Sequence, residues 1–301
     1  MAKWGWTRGV TLGVMIIVLS SMVDATSMVE YAKKIGLIPL LLIIIISVIR
    51  PFVGGFRASF ASRKISTLTI WNATRGYVLS SFGSIFLPSS VGGDILRIEH
   101  ITKVTLMSRV ESLIVVSSER ISGLITLLLL AGVAASFIAI DGFGASDFWS
   151  ISFFILIGIV VVYLIIQRLD IDGRWSGVKQ SASLLMEPRT AIGLLSISFV
   201  FQCISLSVAP IVAISLAGSE TALVILVITP IVALLTTLPI SIGGMGVREV
   251  GYTAIAGSMG VEIEVALLCG IAMSLSVVLS GLPGPLIQSD LFQVMNSDDE
   301  E

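Results

Sequence analysis

Residues 37–49 read LIPLLLIIIISVI and residues 148–167 read FWSISFFILIGIVVVYLIIQ, and neither stretch holds a charge. About 20 apolar residues in a helix cross the ~30 Å hydrocarbon core of a bilayer. The runs are apolar on every side rather than at alternate positions, so they are not the strands of a membrane barrel. The 301 residues are 55% hydrophobic and only 13% charged, against about 25% charged in an ordinary soluble domain. Such a chain cannot cover a water-facing surface of its own. Because lipid leaves only helices and closed barrels as spanning structures, the fold class is an all-α polytopic membrane protein.

The hydrophobic pattern predicts six spanning helices, at about 8–24, 35–54, 110–140, 148–167, 190–217 and 263–288. Two further segments, 66–108 and 221–260, are apolar but interrupted by proline and glycine. They are expected to be re-entrant hairpins with broken backbone. Basic residues mark cytoplasmic loops. Lys3 and Arg8 place the N-terminus inside; Arg50, Arg57, Arg63 and Lys64 do the same for the end of the second span, as do Arg168, Arg174, Lys179 and Arg189 for 168–189. The loop 141–147 carries no Lys or Arg and is expected outside. The C-terminus is then cytoplasmic too.

The interruptions repeat. Leu87–Arg97 reads LPSSVGGDILR and Leu238–Arg248 reads LPISIGGMGVR, both of the form L-P-x-S-(V/I)-G-G-x-x-x-R. Pro88 and Pro239, Arg97 and Arg248, and Glu111 and Glu262 are each 151 residues apart, about half the chain. Each half would hold three crossings and one hairpin. An odd number of crossings inverts the second half. The predicted units are a first membrane repeat at 1–140, a second, inverted one at 141–290, and an acidic cytoplasmic tail at 291–301.

Proline removes a donor and clashes with the previous helical turn, and glycine accepts backbone angles that other residues resist. Pro88, Gly92 and Gly93, and Pro239, Gly243, Gly244 and Gly246, are therefore expected to break the backbone. A broken helix start exposes N–H groups that favour anions. Arg97 and Arg248 follow one turn on with a planar fork suited to phosphate or carboxylate. Paired Gly/Pro-interrupted segments in inverted halves point to a transporter's midplane site. A blander reading also fits: simple kinks, close helix packing, and arginines that snorkel to headgroups.

Other charges sit within apolar sequence at a cost of about 2.5–3.5 kcal/mol each at the bilayer centre. They are Arg75, Asp94, Glu119 and Arg120; Arg248–Glu249, after Gly243-Gly244 and Gly246, also reads as a local surface pair. Glu111, Val115, Glu119, Ser122 and Thr126 recur at helical spacing and make one mostly polar stripe. Arg75, Asp94, Arg97, Glu119, Arg120, Arg248 and Glu249 are the candidate substrate-binding residues.

Enzyme signatures are poor. There is one histidine, His100, with no H-E-x-x-H, no phosphate-binding loop, no G-x-S-x-G and no dinucleotide fingerprint. Cys203 and Cys269 lack metal-ligand spacing. No cofactor and no metal site is expected, and a net charge of −2 without a basic tract gives no sign of nucleic-acid binding.

Three motifs together, PSSVGGDILR at 88–97, SERISGL at 118–124 and PISIGGMGVRE at 239–249, resemble the membrane domain of lysylphosphatidylglycerol synthases over about residues 10–288. The resemblance implies an integral membrane domain that flips aminoacylated phospholipids. Relatives fused to or encoded beside glycosyltransferases imply polyprenyl-linked sugars as other cargo, with a glycosyltransferase or lipid-modifying enzyme as partner. By motif match it carries over Pro88, Gly92, Gly93, Asp94, Arg97, Glu119, Arg120, Pro239, Gly243, Gly244, Gly246, Arg248 and Glu249. No soluble aminoacyl-transferase segment lies within the 301 residues, so a stand-alone member is expected. The expected activity is lipid translocation rather than an enzymatic one. A membrane-embedded transferase acting on a lipid phosphate and a non-transporting scaffold are the alternatives.

Overall fold

The computed structural model describes residues 25–86, 89–137, 145–168, 176–237, 244–284 and 286–287. The predicted span at 8–24, Pro88, Pro239, Gly243 and the acidic tail lie outside them. The regular structure of the described residues is helical: α1 (Ala25–Lys34), α2 (Leu37–Ser62), α3 (Ile70–Phe86), α4 (Ser89–Val104), α5 (Arg109–Ala135), α6 (Ala145–Arg168), α7 (Ser176–Met186), α8 (Pro188–Leu206), α9 (Val208–Leu235), α10 (Val247–Ser258) and α11 (Ile263–Gly281). Five stretches are long and apolar enough to cross a membrane: Leu37–Ser62, Arg109–Ala135, Ala145–Ile165, Pro188–Leu235 and Ile263–Gly281. The fourth has 48 residues, about 70 Å of helix, too long for one crossing. It divides at Gly218, whose φ of 84° leaves the helical region.

Helix α2 runs past the predicted end at residue 54. It continues because Gly54, Gly55, Ala58, Ala61 and Ser62 form a buried small-residue face on which α3 and α8 pack. A Cβ on Gly54 would stand 2.4 Å from the Tyr77 ring, and one on Gly55 2.3 Å from Thr74 Oγ1. The pair Gly54-Gly55 therefore sets a close helix crossing instead of a stop. Arg57, read from sequence as a loop charge, is drawn inside, 6% exposed.

Helices α3 and α4 form an antiparallel hairpin, with Gly83 beside Leu96, Ser80 against Gly93 and Gly76 near His100. The expectation that Gly92 and Gly93 break the backbone is corrected here: both lie inside α4. A Cβ on Gly93 would lie 2.1 Å from the Ser80 carbonyl oxygen, so this glycine serves close approach of the two arms. The second motif behaves differently. Gly244 and Gly246 have φ of 81° and 82°, and α10 starts only at Val247. The later part of α9 and α10 pair antiparallel, with Val232 against Gly251 and Thr229 against Tyr252.

At an offset of 151 residues, α2 falls on α8 and the start of α9, α3 on α9 beyond Gly218, α4 on residues including α10, and α5 on α11. Three buried apolar clusters follow among the described residues, the smallest around Leu128, Ala131, Ala135 and Phe148. Of the larger two, one joins α9, α10 and α11 around Val208, Val212, Ile225, Ile228, Tyr252 and Val265. The other gathers Ala58, Leu68, Ile101, Val115, Val116 and Leu194. Helix α2 touches α3, α5, α8, α9 and α11. Outward residues such as Leu37, Ile38, Phe154 and Val162 stay exposed, as lipid-facing positions should.

Candidate functional site

Helix α5 starts with a capping box. Glu111 accepts from the Ser108 N–H at 2.8 Å, and Ser108 Oγ accepts from the Glu111 N–H at 3.2 Å. Glu111 therefore caps the helix, and the polar stripe below it begins in effect at Glu119. That residue is fully buried. Its Oε1 accepts from Arg57 Nε at 3.2 Å and from the Tyr77 hydroxyl at 2.7 Å, and its Oε2 accepts from Arg97 Nη2.

The two arginines are held by more than charge. Arg57 also donates to Tyr77 Oη at 2.7 Å and to Ser198 Oγ at 3.3 Å, and its guanidinium lies 4.6 Å from the Phe201 ring centre. The Arg97 guanidinium sits 3.8 Å over the Tyr77 ring, a cation–π arrangement. Arg97 Nε is buried and has no hydrogen-bond partner among the described residues. Ser122 and Ser198 Oγ atoms are 2.9 Å apart beneath Arg57. Gly123 leaves the room: a Cβ there would come within 3.4 Å of Arg57 Nη1.

Asp94 lies beside this group. It accepts from Ser80 Oγ at 3.2 Å and from Arg120 Nε at 2.7 Å. The Arg120 side chain is 52% exposed and that of Asp94 9% exposed, so this pair leads from the surface toward the buried arginines. Arg75 is half-buried on α3, and its charge acts on His100. It is not among the donors to Glu119, which are Arg57, Tyr77 and Arg97.

The second motif builds a different arrangement. Arg248 donates from Nη1 to Ser274 Oγ at 3.4 Å. Its guanidinium folds back over Gly244, where a Cβ would lie 2.8 Å from Nη2. Glu249 is buried, accepts from Ser274 Oγ at 2.7 Å and also accepts the Gly246 N–H. Its carboxylate is thus engaged in starting α10 and fastening it to α11. A Cβ on Gly270 would sit 2.9 Å from Glu249 Cα, so the two helices cross in close contact.

The structure brings Asp94, Arg97, Glu119 and Arg120 together and sets Arg248 and Glu249 in a second group. Sequence reasoning missed Arg57, Tyr77 and Ser198. The available signal was the small-residue face around Arg57, which marks a buried helix surface rather than a loop.

These features define an all-helical membrane protein with a buried, arginine-rich centre on its first helical hairpin. The family model of the lysylphosphatidylglycerol synthase TM region matches residues 6–284, and the chain belongs to that family. No curated protein matches it. The family and the membrane helices together support a lipid-related function in a membrane.

Proposed function

We propose that the chain is a flippase-like transporter that carries a phosphate-bearing lipid headgroup across the membrane and leaves the lipid chemically unchanged. One observation carries this reading: two buried guanidiniums, Arg57 and Arg97, share the single carboxylate of Glu119. The group keeps an excess positive charge inside a membrane helix bundle. Buried charge is costly unless paired, so an anion arriving there is favoured. Guanidinium forks suit the oxygens of a phosphate. The unpartnered Arg97 Nε is a donor ready for one of them.

Arg120 and Asp94, nearer the surface, receive the headgroup first. Tyr77 and Glu119 release the arginines as phosphate takes their place. The acyl or polyprenyl chains stay in lipid. Two inverted halves at 1–140 and 141–290, each with a re-entrant hairpin and with both termini cytoplasmic, supply alternating access. An aminoacylated phospholipid or a polyprenyl-linked sugar fits this site, the latter with a glycosyltransferase as partner.

The test is reconstitution into liposomes carrying a fluorescent phosphatidylglycerol, with headgroup exposure followed by quenching. Wild-type protein should translocate the label and Arg97→Ala should lose most of that rate. Equal rates in protein-free, wild-type and variant vesicles would overturn the proposal.

A further inference from the structure

Helix α2 carries two arginines two turns apart, and they reach different helices. Arg50 donates to Ser276 Oγ at 3.4 Å and to Ser280 Oγ at 3.1 Å, both on α11. Arg57 turns to α8, where Ser198 Oγ accepts from its Nη1 at 3.3 Å. What α8 brings to the Glu119 centre is polar and uncharged. Ser122 donates to the Glu119 backbone carbonyl at 3.1 Å, so the proton between the Ser122 and Ser198 hydroxyls, 2.9 Å apart, comes from Ser198. One turn on, Gln202 Nε2 donates to the Gly123 carbonyl at 3.2 Å. A carbonyl only accepts, so this contact fixes the amide and turns Oε1 the other way. Gln202 is half-buried, and its Oε1 has no hydrogen-bond partner among the described residues.

Gly123 keeps a notch open between these groups. A Cβ there would lie 3.4 Å from Arg57 Nη1 and 3.8 Å from Gln202 Nε2, and beyond the α5 backbone no other described atom comes within 4 Å. The notch is therefore bordered by a guanidinium and an amide, with no acid in that radius. Arg57 turns a different nitrogen, Nε, to Glu119. The other acid of the region, Asp94, accepts from Ser80 and Arg120. An ammonium in the notch would meet a charge of its own sign. A hydroxyl would meet a guanidinium that donates and an amide oxygen that accepts.

Resting on the phosphate-lipid function proposed above, we infer that this notch reads the part of the headgroup beyond the phosphate and takes a hydroxyl-rich, uncharged one, a sugar or polyol. Gln202 is the specificity residue, accepting a headgroup hydroxyl at Oε1. Ser198 is a positioning residue that aligns Arg57. The phosphate is common to the two cargoes named above, and what hangs from it separates them. An aminoacyl group brings an ammonium, which the notch disfavours.

The test is equilibrium binding to the purified full chain in detergent. The probes are three dihexanoyl lipids with the same tails and phosphodiester: phosphatidylinositol, phosphatidylmethanol and phosphatidylethanolamine. Their headgroups end in a polyol, a methyl and an ammonium. The wild type should bind phosphatidylinositol about threefold to tenfold tighter than phosphatidylmethanol, the net worth of about one hydrogen bond. Phosphatidylethanolamine should bind most weakly. Gln202→Met should bring the inositol-to-methyl ratio close to one. Gln202→Glu keeps the shape and sets a carboxylate at the notch, so it should raise phosphatidylethanolamine binding relative to phosphatidylmethanol.

Phosphatidylethanolamine bound as tightly as phosphatidylmethanol, or no gain from the inositol headgroup, would overturn the inference and leave the phosphate reading standing. Equal losses for all three lipids in Gln202→Met would do the same, as the mark of a merely structural residue. So would a Gln202→Glu variant with the wild-type order of preference. Free inositol phosphate bound as tightly as the lipid would overturn the lipid as the source of the headgroup. A wild type that binds none of the three, or an Arg97→Met variant that binds them all as the wild type does, overturns the phosphate-lipid reading itself.

Discussion

The hydroxyl of Tyr77 lies 2.7 Å from Oε1 of Glu119 and donates to it, while the Tyr77 ring supports the guanidinium of Arg97 at 3.8 Å. One side chain thus fixes the acid with its oxygen and a base with its face. The two roles separate by mutation. Tyr77→Phe should cost about 1–2 kcal/mol, the range for one buried hydrogen bond to a charged or membrane-embedded group, and retain part of the transport rate. Tyr77→Leu should lose the cation–π contact as well and lower both readouts further. Thermal unfolding in detergent and the liposome assay measure the two effects.

Glu119→Gln leaves two buried arginines without a countercharge. Breaking a buried ion pair from one side costs about 3–5 kcal/mol. The double variant Arg57→Met/Glu119→Met removes one charge of each sign and should unfold at a higher temperature than Glu119→Gln. A double variant no more stable than the single one would show that charge balance does not govern this centre.

Gly93→Ala should push α3 and α4 apart, because the new methyl would meet the Ser80 carbonyl at 2.1 Å. Overpacking of this kind costs about 1–3 kcal/mol. Gly158→Ala is the control. Nothing lies within 4 Å of a Cβ at that position, so it should leave stability unchanged or raise it by a few tenths to about 1 kcal/mol. Melting temperatures of the two variants should move in opposite directions or differ by several degrees.

Gly244→Ala faces two obstacles, a φ of 81° and the Arg248 guanidinium 2.8 Å from the new methyl. Arg248 would have to swing away from Ser274. Transport should fall to the level of Arg248→Ala while Gly260→Ala, at a similar φ of 82° with nothing within 4 Å, keeps its rate at some loss of stability. Equal rates for both alanine variants would show that backbone strain, and not the position of Arg248, sets the outcome.

Much of the fold was legible because lipid enforces it. The apolar runs at 37–49 and 148–167 predict helices with little ambiguity, and α2 and α6 lie there. The 151-residue offset sets α2 against α8 and the start of α9, and α5 against α11. Asp94, Arg97, Glu119 and Arg120 were found because a charge amid apolar sequence stands out, and the structure joins them in one region. Arg57 escaped for a physical reason. A cluster of basic residues after an apolar run reads as a loop, yet Gly54, Gly55, Ala58 and Ala61 prolong the helix by offering a surface for packing. Gly-Gly was ambiguous in the same way. In α4 the absence of a Cβ admits a neighbouring helix, whereas at Gly244 and Gly246 it admits positive φ. Composition does not separate these uses; the neighbour that each glycine meets does.

The contacts of Arg50 with Ser276 and Ser280 also impose an order on assembly. During synthesis α2 is made more than two hundred residues before the helix that receives its arginine. Until α11 arrives, the nascent protein holds a cation in its membrane portion without those hydroxyls. Insertion of α11, the final described spanning helix, is therefore the step that gives the Arg50 guanidinium its hydroxyl partners.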